Sequence, residues 1–203
     1  MAAVSAAGED RAWELLGTLK PGDVCRAASV TFDGASGAYV VPSFGMDFTV
    51  SPKDRAISSQ AAGSAVLLTR LGDFFRLSML WYLVSAKDIP CTGRPVKLQQ
   101  VRGGEIFTKG SHILPLEKVA QKYGNNKDGF LQKGSSLGGE PMTLADAALR
   151  LFPFPGVPVV MTLWTDDEEF PARADLLFDS TCDLQLPTDI IWSIAMMSVL
   201  IML

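Results

Sequence analysis

The chain of 203 residues is 48% hydrophobic and 20% charged, which excludes a disordered segment and leaves ample length to bury a core. A net charge of −4, with an isoelectric point near 5.0, argues against a general nucleic-acid binder, which needs a basic face to neutralise phosphates. Cys25, Cys91 and Cys182 lie far apart and in no CxxC or Cys/His spacing. They build neither a disulfide framework nor a local zinc or iron–sulfur site, and a reducing cytoplasm is the expected setting.

In chain order, residues 9–19 read as a short helix with Trp13, Leu16 and Leu19 on one face and with Pro21 and Gly22 as its stop. Residues 25–32, 38–41, 48–50 and 55–58 are short strand candidates separated by Gly, Pro and Asp turns, the pattern of antiparallel hairpins. A long amphipathic helix is expected over 65–86. Arg70, Asp73 and Arg76 share about a third of its circumference, while Leu67, Leu71, Phe74, Phe75 and Tyr82 share the opposite arc. Those charges argue against a membrane span. Val96 and Leu98 alternate with Lys97 and Gln99 in a half-buried strand over 96–101, which Gly103 and Gly104 turn into a second strand over 105–108.

Helices are expected over 115–123, 127–133 and 143–152, with a Gly/Ser loop at 134–139 before the third. Thr143 and Asp146 have the spacing of a capping box. An apolar, β-branched run over 157–164 reads as a buried strand, and the chain returns to an apolar run at 176–178. A last helix, 190–203, is expected behind Pro187 with Thr188 or Asp189 as its cap. At about 1.5 Å per residue it spans about 20 Å, short of the roughly 30 Å hydrocarbon core, so it reads as a core or docking helix. The opening residues lack the basic flank of a secretory signal. Strands early and late around central helices, with no linker, point to one α+β domain over 1–203, mainly antiparallel sheet packed with helices.

Charge is unevenly spread. Residues 87–133 carry nine Lys/Arg against four acids, a net +5, and residues 164–203 carry one Arg against eight acids, a net −7. Either these two surfaces face and pair with each other, or the basic middle binds an anionic ligand with backbone N–H groups at Gly103, Gly104, Gly138 and Gly139.

The most informative stretch follows the strand that ends at Trp164. Asp166, Asp167, Glu168 and Glu169 stand between it and Phe170. Four adjacent carboxylates cannot be buried unpaired, so the chain must surface there, and a site would sit there. They could ligate a hard divalent cation or work as a general acid/base pair, or form a solvated turn. Strand alternation lets two of the four face inward, toward Arg94 or Arg102, and leaves two solvated. Trp164 and Phe170 flank them as core edge or ligand platform. The candidate ligand-binding residues are therefore Trp164, Asp166, Asp167, Glu168, Glu169, Phe170, Arg94 and Arg102. Elsewhere the chemistry is thin. Residues 133–139, KGSSLGG, lack the GK[ST] order of a phosphate-binding loop. His112 is the only histidine and no G-x-S-x-G elbow accompanies it. No motif fixes a reaction or a cofactor.

Two blocks carry a resemblance: FFRLSMLWYLVSAKDIPCTGRPVKLQQVRGGEIF at 74–107 and VPVVMTLWTDDEEFPARADLLFDSTCDLQLPTDII at 157–191. The aromatic helix leading to Pro90 and Gly93, the pair Gly103 and Gly104, and the run from Leu163 to Ala172 resemble an uncharacterised prokaryotic family, the domain of unknown function numbered 3786. Members of that family occur mostly in anaerobes, some with a cysteine-rich iron–sulfur module fused ahead of the domain. The early part of this sequence holds only Cys25, and the family supplies no catalytic residues to carry over.

The resemblance implies a binding or accessory module for a small molecule, a cofactor or a protein partner, serving iron–sulfur or corrinoid redox systems. Two alternatives stand beside it. One is an acid-dependent, metal-assisted enzyme centred on the four carboxylates. The other is a structural subunit that docks through its C-terminal helix, where Met196, Met197 and Met202 would adapt to a partner.

Overall fold

The computed structural model of the chain describes residues 2–105 and 112–203. Helix α1 (Ala2–Thr18) buries Ala12, Trp13 and Leu16. Pro21 then opens a second helix, α2 (Pro21–Ala28), rather than only closing the first. This corrects the strand expected over 25–32. The fixed φ of proline suits a first helical position, where the missing N–H costs no bond, and Asp23 complements the helix dipole in the first turn. Ser29, at φ 52°, ends the helix in the left-handed region, its neighbour Val30 returning an N–H to Cys25 O. Only β1 (Thr31–Asp33) is extended. It pairs with β2 (Ala38–Ser43), β3 (Met46–Ser51) and β4 (Ala56–Ser58) in a four-stranded antiparallel sheet of order β1-β2-β3-β4, the expected hairpins. Tyr39, Val41, Phe48 and Val50 fill its inner face.

The long helix expected over 65–86 is broken once. A π-helical turn, Val66–Arg70, precedes α3 (Gly72–Ser85), and the Leu71 N–H reaches back five residues to Val66 O. The wider turn lets Leu67, Leu71 and Phe75 all be buried while Arg70 and Asp73 stay exposed. Helix α3 packs on α1 and on the C-terminal helix. Tyr82, fully buried, donates its hydroxyl to Ala28 O at 2.6 Å and accepts the Gly156 N–H at 2.9 Å.

A second sheet has five strands, β5 (Pro95–Lys97), β6 (Glu140–Met142), β7 (Ala147–Phe154), β8 (Val157–Trp164) and β9 (Arg173–Asp179), in the antiparallel order β5-β9-β8-β7-β6. The strand expected over 96–101 stops at Lys97 and becomes a 3-10 turn, Leu98–Gln100. Residues 106–108 of the next expected strand lie outside the described residues. The helix expected over 143–152 is strand β7. Ala147, Ala148 and Leu149 have helix propensity, but the register with β8 from Ala147↔Leu163 to Leu151↔Val159 overrides it. Thr143 and Asp146 form no capping box: Asp146, in the turn between β6 and β7, accepts the N–H and hydroxyl of Thr165, just past β8, at 2.9 and 3.1 Å.

Helices α4 (Leu116–Tyr123) and α5 (Lys127–Ser136) cover one face of this sheet, joined by α7 (Thr188–Met202) after the short α6 (Cys182–Gln185). Helix α5 runs into the segment expected as a Gly/Ser loop. Gly134 permits this, because a Cβ there would lie 2.1 Å from Leu149 Cδ1. Apolar almost all round, α7 is buried from Ile190 to Met202 except at Trp192 and Leu200. The side-chain cap expected at its start is missing, since the Thr188 hydroxyl donates to Arg102 O instead. Its last carbonyls are taken by cations and a phenol: Arg70 on Leu200 O, Lys122 on Met202 O and Leu203 O, and Tyr123 on Met202 O at 2.7 Å. Met196, Met197 and Met202 are buried in this chain's own core, so the docking surface expected there is not free.

The two sheets meet where the Phe44 N–H bonds Phe152 O at 2.8 Å, beside a register shift in β7, and one hydrophobic cluster runs from Ala12 to Met202. The fold is the expected α+β class. Among the described residues no helix is long and apolar enough to cross a membrane.

Candidate functional site

Strand β8 ends at Trp164, opposite Arg173, and the acidic residues lie beyond it in a loop. Asp166, Asp167, Glu168 and Glu169 are all exposed, which corrects the expected inward pair: past the strand end, alternation no longer dictates direction. Asp167 accepts the N–H groups of Phe170 and Glu169 at 2.7 and 2.8 Å, bonds that hold its carboxyl below the ordinary value. Asp166 accepts from the Asn125 amide at 3.1 Å. Phe170 is 66% exposed, and the Arg173 guanidinium sits 4.1 Å from the centre of the Trp164 ring. Trp164, Asp167, Phe170 and Arg173 line a cleft of about 550 Å³.

The expected basic partners are elsewhere. Along β9, Arg173 pairs with Trp164 while Asp179 pairs with Pro95, so Arg94 lies at the far end of a seven-residue strand, about 20 Å away. Arg102 offers its carbonyl to Thr188 at the start of α7. Among the described residues no ion pair joins either arginine to the four acids, and the basic middle meets the acidic end in one pair, Lys97 with Asp175 at 3.5 Å. The N–H groups of Gly104, Gly138 and Gly139 are bonded to Val101, Ser135 and Gly134 carbonyls, which removes the expected anion nests there. Also among the described residues, no three His, Cys, Asp or Glu side chains converge as a metal-ligand set. Exposed His112 packs edge-on against Trp192 at 5.2 Å.

A larger cleft, about 630 Å³, opens on the other face of the five-stranded sheet. Successive strand residues point to opposite faces. Leu149, Leu151, Val159, Met161 and Leu163 are fully buried toward the helices, while Arg150, Phe152, Pro158 and Val160 are only half-buried. Phe152, Pro158 and Val160 form the floor, and Cys91, Arg94 and Arg150 stand around it.

The rim is set by Asp179, 8% exposed. Its carboxylate accepts the Gly93 N–H at 2.6 Å, the Thr92 N–H at 3.1 Å, and the Thr181 N–H and hydroxyl at 3.1 and 2.8 Å. Burial pushes the Asp179 carboxyl up, but these bonds together outweigh it and hold the group below its ordinary value. They pin the turn at residues 90–93, where Gly93 adopts φ 72°. Arg94 follows with its backbone fixed, its carbonyl accepting the Ser180 N–H at 2.9 Å and its N–H donating to Thr92 Oγ1 at 3.2 Å. Partial burial first, and then the Asp179 charge, push the Cys91 thiol up. A nucleophilic cysteine needs the opposite shift.

Of the residues singled out from sequence, the structure thus gathers Trp164, Asp167 and Phe170 in one cleft and sends Arg94 to another. Arg150 and Phe152 were missed because 143–152 read as a helix, and Pro158 and Asp179 because only pairing across the sheet brings them beside those two residues and Arg94. The available signal was period two: Leu149 and Leu151 against Arg150 and Phe152.

Over residues 20–200 the sequence matches the family described as Domain of unknown function (DUF3786), and the chain belongs to that family. No curated protein and no solved structure matches it.

Proposed function

We propose that this DUF3786 domain is a binding module that holds a small molecule in the cleft on the outer face of its five-stranded sheet. The observation that carries the proposal is a cleft of about 630 Å³ with an apolar floor and a few fixed polar groups at its rim. That is the size and lining of ligand pockets, roughly 300–1,000 Å³. The raised Cys91 thiol favours binding over nucleophilic catalysis at this place. The finer reading, a ligand or partner belonging to iron–sulfur or corrinoid redox systems in the cytoplasm of an anaerobe, rests on the family resemblance alone.

A thermal-shift screen of small molecules on the wild type and on Val160→Lys tests the reading. A ligand present at 100 times its Kd raises stability by about 2.7 kcal/mol. Ligands that stabilise the wild type should lose their effect on Val160→Lys, whose side chain intrudes on the floor. Ligands indifferent to Val160→Lys but lost with Trp164→Ala would move the site to the cleft beside the acidic loop.

A further inference from the structure

We infer that the occupant of this cleft is an amphipathic anion, a carboxylate or phosphoryl group on an apolar body, with Arg94 and Arg150 gripping the charged end. The inference rests on the proposed binding function and adds the chemical class of the ligand.

The rim has hydrogen-bond donors without acceptors. Arg94 is exposed on a fixed backbone, and no side chain or carbonyl among the described residues accepts from its guanidinium. Arg150 has one ionic neighbour, Glu140, at 3.8 Å, beyond hydrogen-bond distance, and that glutamate is 62% exposed. Each guanidinium presents five N–H donors in a planar fork suited to carboxylate or phosphate oxygens. Asp179 borders the same cleft, but its oxygens are already occupied by Thr92, Gly93 and Thr181. Lys97 and Asp175, on the same sheet face, offset each other as a pair. The one carboxylate among the described residues that line the cleft is saturated and the guanidinium donors are not, so a complementary ligand brings anionic acceptors. The half-buried floor of Phe152, Pro158 and Val160 stays apolar and asks for an apolar body beside the anionic group.

Two fluorescent probes with one aromatic skeleton separate these demands: 8-anilinonaphthalene-1-sulfonate, an anion, and N-phenyl-1-naphthylamine, which lacks the sulfonate. Titrated into the full chain, the anionic dye should bind about tenfold tighter than the neutral one, the scale of one charge-assisted hydrogen bond. Arg94→Ala should remove most of that advantage without changing neutral-dye binding, Arg94→Lys should restore part of it, and Arg26→Ala, on the exposed Asp23 pair of α2, should change nothing. Benzoate and phenyl phosphate should displace the anionic dye, the better competitor naming the head group. Equal binding of both dyes, indifferent to Arg94→Ala but lost in Val160→Lys, would overturn the anion and leave the cleft reading standing. Binding of both dyes that ignores Val160→Lys as well would overturn both.

Discussion

The two faces of the five-stranded sheet are written by alternate residues of the same strands, one position apart, and they differ in composition. Toward the helices, Leu149, Leu151, Val159, Met161 and Leu163 are buried and apolar, and Gly134 of α5 is bare so that the helix can lie against Leu149. Toward the outside, Arg150, Phe152, Val160, Asp175 and Leu177 mix charge with half-buried apolar surface. That outer face sets an apolar floor of Phe152 and Val160 beside Arg94, whose guanidinium has no partner among the described residues. The inner face holds the fold and the outer face is free to hold something else.

Substitutions should separate the two faces by size of effect. Leu149→Ala on the inner face should cost about 2–5 kcal/mol, through lost burial and a cavity that α5 cannot fill, measured by denaturant unfolding. Next comes the hub at the rim. Asp179→Asn puts an amide N–H₂ among donors that need acceptors and should cost about 1–3 kcal/mol. Because the folded carboxyl lies below its ordinary value, its contribution is full above the unfolded pKa and is lost as pH falls through the folded one. Acid titration of stability should therefore fall less steeply in Asp179→Asn than in the wild type below the ordinary carboxylate range. An identical acid limb would mean that the turn does not depend on this carboxylate.

The smallest effects belong to the exposed loop. Glu168→Gln and Glu169→Gln should each stay within about ±0.5 kcal/mol, read from thermal melts. A large loss in either would show that the acidic turn has a buried partner and that the outer-face cleft is not the best site. Val160→Thr, nearly isosteric and half-buried, should lie between the hub and the loop, and its larger effect should appear in binding of the anionic dye.

Some of this was legible in the sequence. The run at 157–164 is strand β8 to the residue, because apolar β-branched side chains end where the carboxylates begin. The arcs of charged and apolar residues located α3, but the π-turn before it adds one residue to a turn, and only the Leu71 to Val66 bond reveals that. Strand β7 was hidden by helix-forming residues whose state is decided by pairing with β8, a nonlocal interaction. That the chain surfaces at the acidic block could be read from its charge, but the inward pair expected there could not hold, because the four residues lie past the end of β8. The separation of Arg94 from it could not, because it depends on the register of β9 between β5 and β8.

The most direct test of the outer-face cleft uses the thiol already in it. Cys91 is exposed at the rim, Cys25 is part-buried and Cys182 is buried, so peptide mapping after iodoacetamide treatment reads each site separately. With the cleft saturated by 8-anilinonaphthalene-1-sulfonate, alkylation of Cys91 should slow severalfold while Cys25 reacts at its unliganded rate, and Arg94→Ala should need about tenfold more dye for the same protection. Unchanged Cys91 reactivity with the dye fully bound would place the occupant elsewhere and contradict the assignment of the binding function to this face.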